Sequence, residues 1–207
     1  MIHAVGDSHT QIFLDDPRVQ RMPDLACTAY QLINSPLSRL HAGEAIVEYI
    51  TENLHQGDIL LISAGEIDCR IHIYKAHMKT GRSILNLVSE TVDRLSIFVN
   101  ELGKAFPGLN FAVLGIPPPG WEGNEYRYEH YATPKQHVRI YRYFYSTYIT
   151  YPWNARYVDM YRAFVGPDGH VKPGWLREDK VHLIPAAKEE ALRQINEKRE
   201  RWEGWMP

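Results

Sequence analysis

At 207 residues, with 44% hydrophobic and 23% charged side chains and a net charge of -2, the chain has the make-up of one globular domain and needs no disulfide or metal to build a core. The near-neutral balance gives no electrostatic case for binding nucleic acid, and no run of ~18 uncharged apolar residues is present to span a membrane. Cys27 and Cys69 lie outside any C-x-x-C pattern, and "MIHAVGDSH" has neither the basic nor the apolar region of a leader; the expectation is a single domain over 1–207 in a cytoplasmic compartment.

In chain order, "IHAV" (Ile2 to Val5) reads as a strand that ends at once in "GDSHT" (Gly6 to Thr10), which leaves Ser8 at its lip. "LACTAYQL" (Leu25 to Leu32) is a weaker strand candidate. Gly43 to Gly57 places Ile46, Val47, Ile50 and Leu54 on one helical face, with Gly57 as its stop. "DILLISAG" (Asp58 to Gly65) is a second buried strand. Ser83 to Phe106 is a long helix with Leu85, Val88, Val92, Leu95, Val99 and Leu102 in one stripe. "NFAVLGIPPP" (Asn110 to Pro119) is a third strand and "ARYVDMY" (Ala155 to Tyr161) a fourth, near an edge. The helix "KQHVRIYRYFYSTYI" stands between them, and a charged helix following Ile184 turns Leu192 and Ile195 inward. Ile71 to Arg82, Pro117 to Pro134 and Gly166 to Arg177 read as irregular. Strands alternating with helices predict a parallel sheet covered on both faces, with the loops gathered at one edge around Ser8.

A serine hydroxyl needs a base to become a nucleophile. "REDKVHLIP" offers one, because Asp179 precedes His182 by three residues and can turn its carboxylate back onto the imidazole. The competing reading makes Asp179 the cap of the following helix and His182 a surface histidine. The remaining histidines form no H-x-x-x-H or mixed Cys/His set, so neither a metal nor another cofactor is expected.

"GDSHT" after the first strand, "SAGEID" after a later one, "IPPP" after the next and "DKVHL" before the last helix resemble, in order and spacing, the blocks of the SGNH (GDSL-type) hydrolases. The resemblance spans nearly the whole chain. It implies an α/β fold, a flavodoxin-like three-layer α/β/α sandwich with a central parallel sheet of about five strands, and ester hydrolysis or acyl transfer without an obligatory metal. By that match Ser8 is the nucleophile, His182 the general base and Asp179 its orienter. The family's oxyanion hole implies the Ser8 N–H, a glycine N–H for which Gly43 is the candidate against a plain helix-start glycine, and an asparagine where this chain has Ile67.

Isoleucine donates no hydrogen bond, and losing one oxyanion donor costs about 3 kcal/mol in the transition state. Arg70 can replace it, can bind a carboxylate on the substrate, or can pair with Glu66 and Asp68 and merely lock the loop. His9 is placed to touch substrate or to cap the next helix, while Asp7 braces the turn. Trp121 stands with Tyr126, Tyr128 and Tyr131 in one loop, whose rings either stack on a sugar or pack onto the helix that follows. The expected function is a serine esterase acting on an acyl ester, an O-acetyl group on a carbohydrate foremost. An O-acyltransferase on the same three residues and a catalytically silent binding protein are the alternatives, and the expected partner is a small-molecule or glycan ester.

Overall fold

A computed structural model describes residues 1–23, 28–29, 32, 42–120, 132–153, 155–179 and 181–199. Among them, strands β1 (Ile2–Gly6), β2 (Val19–Arg21), β3 (Ile59–Ser63), β4 (Asn110–Leu114) and β5 (Arg156–Val158) form a single sheet in the order β2-β1-β3-β4-β5. Every pairing is parallel, and the register aligns Gly6 with Ser63 and Ser63 with Leu114. Each of the central runs β1 and β3 is buried throughout, as continuous apolar runs require when both faces of a sheet are covered.

Side chains alternate between two cores because successive strand residues point to opposite faces. Val5, Leu60, Ile62 and Val113 enter a core with α1 (Ala42–Asn53), α3 (Ile84–Ala105) and α4 (Pro134–Thr150). Ala4, Ile59, Leu61 and Leu114 enter the opposite core with α5 (Met160–Phe164) and α6 (Ala187–Arg199), where Leu192 and Ile195 are buried. This is a three-layer α/β/α fold with flavodoxin-like strand order. No described helix is long and apolar enough to cross a membrane.

Local chemistry sets the helix starts. The Ser83 side chain accepts from the Asn86 N–H to open α3, and Thr133 with Gln136 makes a reciprocal capping box ahead of Pro134 in α4. Two residues expected on core stripes are displaced: Leu85 is 52% and Val47 39% exposed, while Leu87 is buried in α3. Gly57 does not stop α1, which ends at Asn53; at φ +85° it turns the chain into β3.

The first edge strand is Val19–Arg21, upstream of the expected Leu25 to Leu32. Of that segment Thr28, Ala29 and Leu32 are not in a strand, and the others fall outside the described residues. Ile71 to Arg82 is mostly helical, not irregular. A π-helical turn over Asp68–His72 runs directly into α2 (Ile73–Thr80), which ends on left-handed Gly81. Gly166 to Arg177 lacks regular elements apart from isolated bridges, and Trp121, Tyr126, Tyr128 and Tyr131 lie outside the described residues.

Candidate active site

The turn that carries Ser8 is built at the end of β1. Gly6 has φ +123°, and a Cβ there would lie 2.0 Å from the Ser63 carbonyl oxygen, so only glycine fits. The Asp7 N–H donates to that carbonyl at 3.0 Å, and Asp7 Oδ1 accepts from the Ser63 hydroxyl at 2.8 Å and the His9 N–H at 3.0 Å. Burial opposes charge on Asp7, but the His9 ring and the Ser63 hydroxyl outweigh it and hold the carboxyl below its ordinary range. Asp7 thereby caps the 3-10 turn Ser8–Phe13 and fixes Ser8 as its first residue.

His182 arrives on a loop pinned at both ends. Leu176 bridges Leu183, the Arg177 N–H donates to the His182 carbonyl at 2.8 Å, and the Ile184 N–H donates to the Trp175 carbonyl at 3.0 Å. The Arg177 guanidinium then reaches the turn that carries Ser8, donating to Gln11 Oε1 at 3.1 Å and to the Gln11 carbonyl at 3.3 Å. Within this frame His182 Nε2 lies 2.7 Å from Ser8 Oγ, and Nδ1 lies 2.7 Å from Asp179 Oδ2. Partial burial opposes ionisation of Asp179, but the N–H groups of His182 and Val181 and the imidazole outweigh it and lower its pKa. An ionised Asp179 only accepts, so Nδ1 carries the hydrogen and Nε2 is left to accept from Ser8.

Beneath this chain the turn after β3 forms a buried polar floor. Glu66, 3% exposed, takes the Tyr141 hydroxyl at 2.7 Å and Arg70 Nε at 2.8 Å on the same oxygen, Oε1. Burial, with the Glu66 charge added, pushes the Tyr141 phenol well up, so it stays a donor. Asp68 Oδ2 accepts the Ala29 N–H at 2.7 Å. His137 Nε2–H donates to the Arg70 carbonyl at 3.1 Å, and burial lowers the pKa of this histidine to about 4. Burial also pushes the Cys69 thiol well up, which leaves it inert.

The sequence-predicted residues therefore divide. Ser8, Asp179 and His182 form one hydrogen-bonded series, and His9 adjoins it with its ring centroid 4.9 Å from that of His182. Glu66 and Arg70 pair with each other behind it. Gly43 lies in the first turn of α1, where a Cβ would come 2.6 Å from the Leu32 carbonyl oxygen and 3.2 Å from the Phe98 ring, so a glycine is required there. Trp121 is outside the described residues. Sequence reasoning missed His137 and Tyr141, although with Phe144 and Tyr148 they form an inward stripe of α4 whose polar tips needed partners. Among the described residues no group of three or more His, Cys, Asp or Glu is arranged to hold a metal ion.

A cavity of about 390 Å³ opens between α2 and α3, lined by Asp68, His72, Lys75, Lys79, Arg82 and Glu90 among others. None of its lining residues belongs to the Ser8, His182 and Asp179 series, so chemistry and not cavity volume locates the candidate site.

No family model matches the sequence, and no curated protein matches it either. Solved structures do resemble the fold. A GDSL-like lipase from Bacteroides thetaiotaomicron superposes with a TM-score of 0.53 at 16% identity, covering 97% of this chain and 87% of that one. A protein of Slackia heliotrinireducens provisionally designated an SGNH hydrolase gives 0.52 at 15% identity, covering 95% and 96%. A carbohydrate acetylesterase from Sinorhizobium meliloti gives 0.50 at 12% identity, covering 97% and 98%. The chain has the SGNH-type fold that these likenesses describe.

Proposed function

We propose that the protein is a serine esterase of the SGNH type. The observation that carries this reading is the series Ser8 Oγ, His182 Nε2, His182 Nδ1 and Asp179 Oδ2, with both links at 2.7 Å. Ser8 Oγ attacks the ester carbonyl carbon as His182 Nε2 takes the hydroxyl proton. The bond to the alcohol oxygen breaks and the alcohol leaves with that proton. Water then attacks the acyl-serine, gives a proton to His182, and the acid departs as Ser8 regains its hydrogen. Asp179 holds the tautomer and steadies the imidazolium formed in each half.

The Ser8 N–H heads the 3-10 turn, ahead of the first bond within that turn from the Thr10 N–H to the Asp7 carbonyl, and with the Gly43 N–H of the first turn of α1 makes the oxyanion donors of this reading. Ile67 offers none, and Arg70, held by Glu66, locks the loop. One missing donor costs about 3 kcal/mol, so slow turnover of unactivated esters is expected. The substrate class we favour is an O-acetyl ester on a carbohydrate, on the likeness to a carbohydrate acetylesterase. An O-acyltransferase uses the same steps with a sugar hydroxyl in place of water.

The test is intact mass after treatment with a fluorophosphonate, alongside release of 4-nitrophenol from its acetate, in the wild type and Ser8→Ala. One adduct and turnover in the wild type, both lost in Ser8→Ala, are expected. A wild type that takes up no adduct overturns the reading and leaves a silent binding protein of the same fold.

A further inference from the structure

Arg177 is bonded to both of the segments that bring Ser8 and His182 together. Its own N–H donates to the His182 carbonyl at 2.8 Å, beside the Leu176 to Leu183 bridge and the bond from the Ile184 N–H to the Trp175 carbonyl at 3.0 Å. Its guanidinium leaves that loop for the 3-10 turn Ser8–Phe13, where Nη1 donates to Gln11 Oε1 at 3.1 Å and Nη2 to the Gln11 carbonyl at 3.3 Å. The same carbonyl accepts the Leu14 N–H at 3.1 Å, so the guanidinium meets the backbone where the turn closes. The two segments are held by the fold in different ways. The turn leaves β1 directly and is braced by Asp7, whose Oδ1 takes the His9 N–H and the Ser63 hydroxyl. The His182 loop has isolated bridges in place of a strand ladder, and the neighbouring Leu183 seats it in the core. Apolar burial is non-directional, whereas proton transfer needs the base within about 2.6–3.2 Å of the hydroxyl.

We propose that Arg177 is a positioning residue for the esterase reaction: its two-pronged grip on Gln11 sets the His182 loop against the turn of Ser8 and so holds Nε2 at 2.7 Å from Oγ. The inference rests on the reading of Ser8 and His182 as nucleophile and base. Arginine suits the task because its planar fork presents N–H donors at a fixed spacing and takes a side-chain oxygen and a backbone oxygen at once. A lysine ammonium is a point charge on a flexible stem and fixes no such direction. Misplacing the reacting atoms by about 1 Å costs about 10²-fold in rate, while a partly exposed hydrogen bond adds little to the stability of the fold. Loss of the grip is therefore felt in the rate far more than in the melting temperature.

The test measures Ser8 phosphonylation by a fluorophosphonate, well below the melting temperature, in the wild type, Arg177→Ala, Arg177→Lys, Gln11→Ala and the double variant Arg177→Ala/Gln11→Ala. The maximal labelling rate is expected to fall about tenfold or more in Arg177→Ala, with the half-saturating reagent concentration within about twofold of the wild type. Arg177→Lys stays close to Arg177→Ala, and Gln11→Ala costs several-fold alone but nothing further in the double variant, because the grip is already gone. A merely structural arginine lowers the melting temperature and leaves the rate of the folded protein unchanged. A wild-type rate in folded Arg177→Ala overturns the inference alone, as does a wild-type rate in Arg177→Lys or strict additivity in the double variant. If thermal melting finds Arg177→Ala unfolded, Gln11→Ala decides, and an unchanged rate there overturns the inference. Absence of labelling in the wild type overturns the esterase reading and this inference together.

Discussion

Asp179 divides its carboxylate between the backbone and the ring of His182: Oδ1 accepts the N–H groups of Val181 and His182 at 2.9 Å each, and Oδ2 faces Nδ1 at 2.7 Å. The same residue shapes the loop and orients the imidazole. Asp179→Asn keeps an acceptor for the N–H groups but no longer imposes the Nδ1–H tautomer. Esterase kcat is expected to fall about 10³-fold or more with little change in melting temperature, read by 4-nitrophenyl acetate turnover and calorimetry. A drop in stability matching the drop in rate would reduce Asp179 to a loop brace.

The Glu66–Arg70 pair is a buried charge pair with the guanidinium only 16% exposed. Removing one partner strands the other, so Arg70→Ala is expected to cost about 3 kcal/mol or more in urea unfolding. Glu66→Gln combined with Arg70→Ala recovers more than half of that loss, because the uncompensated charge is gone. Equal destabilisation in the single and double variants would show that the pair adds nothing beyond packing.

His137 supplies a pH dependence of known sign. Its pKa is lowered by burial to about 4 in the fold, against an ordinary value of 6.5, so between these limits the unfolded chain binds more protons. Stability is therefore fully present above about pH 6.5 and falls as pH drops toward 4, by up to about 3 kcal/mol. His137→Gln, which keeps a donor for the Arg70 carbonyl, is expected to flatten the plot of Tm against pH in this window. A slope unchanged by the substitution would assign the acid sensitivity to other groups.

Gly65 combines φ +111° with a site where a Cβ would lie 2.6 Å from the Phe144 ring. Gly65→Ala is expected to cost about 2–4 kcal/mol, from backbone strain and overpacking together. In a Phe144→Leu background the added cost should shrink, as a double-mutant cycle would reveal. Strict additivity would place the whole effect in the backbone.

The sequence exposed the central strands because each is an unbroken apolar run closed by glycine or a short polar residue, and the long helix because its stripe repeats. β2 escaped notice since Val19–Arg21 brings a single buried apolar residue, too little to form a pattern. Ile71 to Arg82 read as irregular because its apolar positions are interrupted by basic residues; the helix there draws on packing against α3 and on Gly81, not on a strong stripe of its own. Leu85 and Val47 lie at stripe margins, where a helix's rotation against the sheet decides burial and local sequence does not. At the site, short motifs pointed to the meeting of Ser8, Asp179 and His182. The tilted contact of the His9 and His182 rings and the grip of Tyr141 on Glu66 were not legible in this way, because each joins segments far apart in sequence whose meeting depends on the finished sheet.

Ser8 and His182 meet across 174 positions of chain, and the Arg177 clasp on Gln11 spans 166. The segment bearing His182 follows all five strands, whereas the Ser8 hydroxyl stands just past the end of the first one. During synthesis Ser8 therefore leaves the ribosome long before His182 does. Any fragment that stops short of the Arg177 loop holds Ser8 without its imidazole partner, so on the proposed reading reactivity is withheld until the last layer closes over the sheet.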